Sequence, residues 1–240
     1  MRIVKFQKKK DIYLIGVIQH MDPIVIMDLL AGSFGVITSV ILFQRYFKYR
    51  NIPALMLALC VFIYGLGNFC WFGEDAIAGQ QQILVILAYI SNYLPAYFGF
   101  LFVVHTMNLR KREMTVISTA IAAIGVVGFA IFPLESSIIG NSFVYYLGTE
   151  LKLILIPLVL MALFMPVFLL AYGFTMRRAK NRREAEKGFL LSIGFLLMVL
   201  GEFILVPYLK VSLLSDQILL LAGFAFISFV FIYTERAVLR

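Results

Sequence analysis

The sequence predicts an all-α, polytopic integral membrane protein: an antiparallel bundle of seven transmembrane helices, amino terminus outside and carboxyl terminus cytoplasmic. Three observations predict it. The 240 residues are 62% hydrophobic and only 14% charged, with a mean hydropathy of +0.95. A soluble domain averages about 45–50% apolar and about 25% charged residues, so the excess suits surfaces that face lipid. Seven apolar runs reach spanning length, which takes about 17–25 residues. Basic residues are also divided unevenly between alternate connectors, fourteen in one set and two in the other.

The seven runs cover about 23–44, 52–72, 83–107, 115–133, 149–174, 188–208 and 216–234. Arg45, Lys48 and Arg50 follow the first, and Arg110, Lys111 and Arg112 the third. Arg177, Arg178, Lys180, Arg182, Arg183 and Lys187 follow the fifth, and Arg236 and Arg240 the seventh. Lys152 and Lys210 stand alone on the other side. Short basic connectors stay in the cytoplasm, which puts the tail at 237–240 there too and makes the cell membrane the expected location. The net charge of +8 thus reads as topology, with the lipid bilayer as first partner and no nucleic acid.

Residues 1–22 run against this topology, because Arg2, Lys5, Lys8, Lys9 and Lys10 fall on the outer side. Three readings stay open. The segment holds a short signal-like stretch, or is a tail translocated against its charge, or the true start is Met21, which leaves Met21–Asp22–Pro23 as a short outer amino terminus.

Each of the first three helices has a polar or small-residue stripe. On the first, Asp28, Gly32, Gly35 and Ser39 fall at i, i+4, i+7 and i+11, one face on which a second helix can approach closely. The second carries Cys60, Tyr64, Asn68 and Trp71, with Trp71 placed as an interfacial anchor. Cys60 and Cys70 are ten residues apart, about 15 Å along a helix, and too far apart to bridge. The third has Tyr89, Tyr93, Tyr97 and His105 in a stripe beside Asn92. Residues 134–148 form the longest outer connector, a short helix or a hairpin. Pro157 and Pro166 make the fifth helix the candidate for a bend, with Pro95 and Pro207 in the third and sixth.

The sixth run holds Glu202 between apolar residues 189 and 206. A charge at that depth costs about 2.5–3.5 kcal/mol on insertion scales, so a carboxylate there normally has a reason. It meets a ligand, an ion or a proton, or it makes a hydrogen bond that locks helices. Eight carboxylates lie in the outer half or outer connectors, against two lysines. The expected ligand or ion pocket is an acidic, outward-open vestibule with Glu202, Asp28, Asn68, Asn92, Tyr64 and Tyr93 as its residues. The connector residues Arg177, Arg178, Lys180, Arg182 and Arg183 are the expected surface for a cytoplasmic partner or anionic lipid.

Leu66–Gly67–Asn68–Phe69 and Leu200–Gly201–Glu202–Phe203 match at an offset of 134, and the following Gln–Ile–Leu words at 135. Helices one to three and five to seven would then be parallel repeats around helix four, a 3+1+3 plan. Chance matching of short apolar words stays open beside it.

The chain has no Gly-x-Ser-x-Gly, His-Glu-x-x-His, phosphate-binding glycine loop or paired intramembrane aspartates, so no enzyme and no cofactor is expected. Retinal would need a lysine deep in the last helix, and 216–234 contains none. The seven-helix layout and the Phe231–Ile232–Tyr233–Thr234–Glu235–Arg236 exit resemble the seven-transmembrane sensory region of archaeal and bacterial histidine kinases. That resemblance implies a receptor-like sensor signalling through a separate cytoplasmic partner. A small-solute or cation/proton-coupled transporter and an accessory subunit of a membrane complex stand as alternatives, and a homo-oligomer is compatible with each.

Overall fold

The computed structural model describes residues 23–76, 82–139, 142–201 and 213–236. Among these residues it is an all-α polytopic bundle of seven helices with one small hairpin. The helices are α1 (Pro23–Tyr49), α2 (Ile52–Ala76), α3 (Gln82–Met107), α4 (Lys111–Ile131), α5 (Thr149–Arg178), α6 (Arg182–Val199) and α7 (Leu213–Arg236). Strands β1 (Glu135–Ile139) and β2 (Ser142–Tyr146) pair antiparallel, from Glu135 opposite Tyr146 to Ile139 opposite Ser142. The long connector is therefore a hairpin, standing at the end opposite the basic turns.

Among the described residues, five helices, α1 to α5, are long and apolar enough to cross a membrane. Among the described side chains, the apolar stretch of α7 runs Ile218–Val230, and α6 opens on charged residues. Large apolar side chains face outward along these helices, among them Ile37, Val116, Ile131, Leu153 and Val167. In water such a surface would drive aggregation; in a bilayer it is the lipid contact.

Helix ends differ from the ends of the apolar runs. Helix α1 continues to Tyr49 rather than 44, α5 to Arg178 rather than 174, and α6 starts at Arg182 rather than 188. Hydropathy marks where lipid ends, whereas the helix ends where its backbone is capped. Arg50 (φ 52°), Asn108 (φ 58°) and Lys180 (φ 58°) take the left-handed conformation that stops α1, α3 and α5. After α5 the Asn181 amide donates to Met176 O at 2.9 Å and Lys180 N to Arg177 O at 3.1 Å, the two bonds of a Schellman turn. Asn181 then caps α6, its Oδ1 accepting from Glu184 N at 3.2 Å. Helices α3 and α5 run on through Pro95, Pro157 and Pro166.

Contacts run α1–α2–α3–α5–α6–α7 and back to α1, while α4 packs against α3 and α5 from outside the ring. Gly32 meets Gly65 and Phe69, and Gly35 meets Val61 and Gly65, the pairing of antiparallel neighbours. One core cluster fills the ring, including Leu57, Val61, Phe102, Leu169, Phe195 and Phe224. A second, with Phe129, Leu134, Leu147 and Leu151, joins α4 to α3 and α5 near the hairpin.

Backbone-to-backbone approaches at the described glycines fall between α1 and α2 and within α5–α7. A Cβ added at Gly35 would lie 3.0 Å from Gly65 Cα, and one at Gly67 2.8 Å from Ser91 Cβ. One at Gly188 would lie 2.9 Å from Gly173 Cα, and one at Gly194 3.1 Å from Gly223 O. Where the two groups of three meet, contacts are made by side chains. Gly99 of α3 faces the Met165 thioether of α5, and Phe102 stacks on Phe195 at 6.3 Å. Across α1 and α7 the Thr38 and Ser228 hydroxyls share a hydrogen bond of 2.8 Å.

Candidate functional site

Two spaces lie along this seam. The first is a small cavity of about 20 Å³ mid-bundle, lined by Cys60 and Tyr64 of α2, Asn92, Pro95 and Ala96 of α3, Ala162 and Met165 of α5, and Phe195, Met198 and Val199 of α6. That volume holds about one water and no larger ligand. Tyr64 is buried, and its ring meets Phe224 edge-on at 5.7 Å. Asn92 Oδ1 sits over Gly67, 3.1 Å from where a Cβ would be. Past Val199 the helix runs into a wider, π-type turn at Leu200–Gly201, a local form frequent at functional sites.

The second space is a cleft of about 350 Å³ at the basic end, reached by residues of α1, α2, α3, α5, α6 and α7. Phe102 lines the cleft and Phe195 the small cavity, so their stacked rings separate the two. The cleft wall holds Arg45, His105, Thr106, Tyr172, Glu184 and Lys187. Tyr172 Oη donates to Glu184 Oε2 at 3.2 Å, and Lys187 Nζ donates to Glu184 Oε1. The Glu184 carboxylate is thereby fixed by two donors. The Thr106 hydroxyl is buried and has no hydrogen-bond partner among the described residues.

Of the residues picked out by sequence, Tyr64 and Asn92 line the same cavity. Asn68 is 2% exposed, but its Nδ2 donates to the Tyr64 carbonyl of its own helix at 3.0 Å. Asp28 is 3% exposed, on the α1 stripe whose Gly32 and Gly35 press against α2. Tyr93 points the other way, its ring 6.4 Å from Phe129 of α4. Glu202 lies outside the described residues, as does Asp22. Residues 1–22 and 237–240 also lie outside them.

The basic connector separates into two faces. Arg177, Lys180 and Arg182, with Ala185, Glu186 and Phe189, line a groove of about 470 Å³ on the α5–α6 elbow. Arg182 Nε pairs with Glu186 Oε1 at 2.8 Å, and Arg178 is exposed. Arg183 is half-buried, while Glu184 and Lys187 turn into the cleft. Sequence reasoning missed the cleft. Its local signal is the Glu184/Lys187 spacing of i, i+3. The Tyr172 contact spans the elbow and appears only once α5 and α6 pack.

No protein-family model matches the chain, and the comparison with curated proteins found no match.

Proposed function

We propose that the chain is a receptor-like membrane sensor in which α1–α3 and α5–α7 act as two bodies that shift against each other at the seam. The observation that carries this reading is the contrast in packing. Glycines bring backbone against backbone at α1–α2, α5–α6 and α6–α7, whereas the glycine at the seam, Gly99, meets the flexible Met165 side chain. Tight glycine contacts hold helices together, whereas side-chain seams slide by rotamer changes, the ingredients of a shear motion. The proposal includes the 3+1+3 parallel plan, with α4 as the outer connector, and an orientation that puts the basic end in the cytoplasm of the cell membrane. A stimulus at the opposite end, where Glu202 is the candidate recognition group, would change the balance of two seam states. The elbow formed by Arg177, Arg178, Lys180, Arg182 and Arg183 then presents the output to a cytoplasmic partner.

The small cavity and the cleft lie on one seam, which favours a solute or proton carrier as the second reading. The Phe102–Phe195 stack and the 20 Å³ middle support transmission by packing over passage of a solute.

The test is a lock. Cysteines at Thr38 and Ser228, in a background without Cys60 and Cys70, cross-link α1 to α7. A histidine-kinase catalytic core fused after Arg240 reports output as autophosphorylation. The sensor reading expects oxidation to change the rate and reduction to restore it. An unchanged rate with the cross-link formed rejects transmission. Proton or cation flux into proteoliposomes that Glu202→Gln abolishes would favour the carrier.

A further inference from the structure

We propose that the basic-end cleft is a binding site for an anionic amphiphile, a phosphate group carried on a short apolar body. At about 350 Å³ the cleft falls in the size range of small-molecule sites, about 300–1,000 Å³. Its wall carries two cationic side chains, Arg45 and Lys187, and one carboxylate, Glu184. Arg45, His105, Thr106 and Asn51 line it, and the Glu184 carboxylate already accepts from Tyr172 and Lys187. The buried Thr106 hydroxyl has no partner among the described residues. A cationic ligand would meet Arg45 and Lys187 with no acidic side chain of the wall left uncommitted. An anion meets complementary donors instead, and charge-assisted hydrogen bonds to it are the stronger kind.

The floor decides the other half of the ligand. Phe102, Leu169, Leu191 and Val230 close the inner end, so a purely inorganic anion would leave apolar wall against water. The basic end of the chain adds a positive field. Among the residues whose side chains are described, its connectors carry twelve basic residues against Glu113, Glu184 and Glu186, which concentrates anions at the mouth. This inference does not depend on the sensor reading, because binding is measured without any signalling output.

The probes are hexyl phosphate, 1-hexanol and inorganic phosphate, titrated calorimetrically against the full chain in phosphatidylcholine nanodiscs. Saturable, one-to-one binding of hexyl phosphate is expected, with inorganic phosphate weaker and hexanol indistinguishable from protein-free discs. Arg45→Gln and the near-isosteric Thr106→Val should each weaken binding, Arg45→Gln by about tenfold, the loss of one charge-assisted bond. Lys180→Gln on the outer elbow should leave it unchanged. Native mass spectrometry of the chain released from phosphatidylglycerol nanodiscs identifies the source. One retained lipid, lost in Arg45→Gln, assigns the phosphate to a lipid headgroup. Hexyl phosphate binding with no retained lipid assigns it to a soluble anion. Equal binding of hexanol, no saturable binding, or binding unaltered in both cleft variants overturns the proposal.

Discussion

Gly188→Ala and Gly99→Ala are the same chemical change at two helix-interior positions, and the two-body account predicts different outcomes. At Gly188 the new Cβ would sit 2.9 Å from both Gly173 Cα and Gly173 N, and 3.1 Å from Leu169 O. All three are backbone atoms, so α5 and α6 must separate by about half an ångström or more to restore contact distances. Overpacking of this kind costs about 1–3 kcal/mol. At Gly99 the new methyl meets the Met165 thioether, and methionine can re-rotate around it. Alanine also has the better helix propensity, by about 1 kcal/mol, at both positions. That gain cancels in the comparison, so the difference isolates packing. Gly188→Ala should fall below Gly99→Ala by about 1–3 kcal/mol in unfolding free energy. The assay is reversible unfolding in mixed micelles, read by the loss of helical circular dichroism. Equal stabilities, or Gly99→Ala the less stable, would refute the distinction between rigid groups and a soft seam.

Other outcomes follow from single contacts. Asn181→Ala should destabilise by about 1 kcal/mol through loss of the α6 cap, read by the same unfolding assay. Ser192→Ala removes a 2.7 Å bond to the Pro166 carbonyl and should cost about 0.6 kcal/mol, the average for such bonds in membranes. Lys180→Gly should stabilise by about 1 kcal/mol, because φ 58° suits glycine, and a loss of stability would argue against the turn. The Thr38→Cys/Ser228→Cys pair should cross-link under mild oxidation, giving a shifted band on non-reducing gels. Failure to cross-link would place α1 and α7 apart.

Composition and the seven apolar runs made the membrane class legible, because lipid contact demands apolar surface along every span. Helix ends were less legible. Tyr49 and Arg178 are polar or charged residues in the last turns of helices that leave the apolar layer before their backbone is capped. The Asp28–Gly32–Gly35–Ser39 stripe was legible as a contact face, since its spacing alone puts small residues on one side. Asn68 and Tyr93 show the opposite case. A helical stripe says which residues share a face but not what lies opposite it. Asn68 bonds back to its own helix, and Tyr93 meets α4 rather than the ring interior. The cleft was illegible for the same reason. Arg45, His105, Tyr172 and Glu184 sit near the ends of four different helices, and only ring closure brings them to one wall.

Distances measured between paired spin labels test the two-body claim most directly. With Cys60 and Cys70 replaced by alanine, one pair at Arg50 and Asn108 lies within α1–α3, and another at Asn108 and Lys180 spans the seam. All three sites are exposed. In lipid nanodiscs the account predicts one narrow distance for the first pair and two populations for the second. A single narrow distance for both pairs would contradict it.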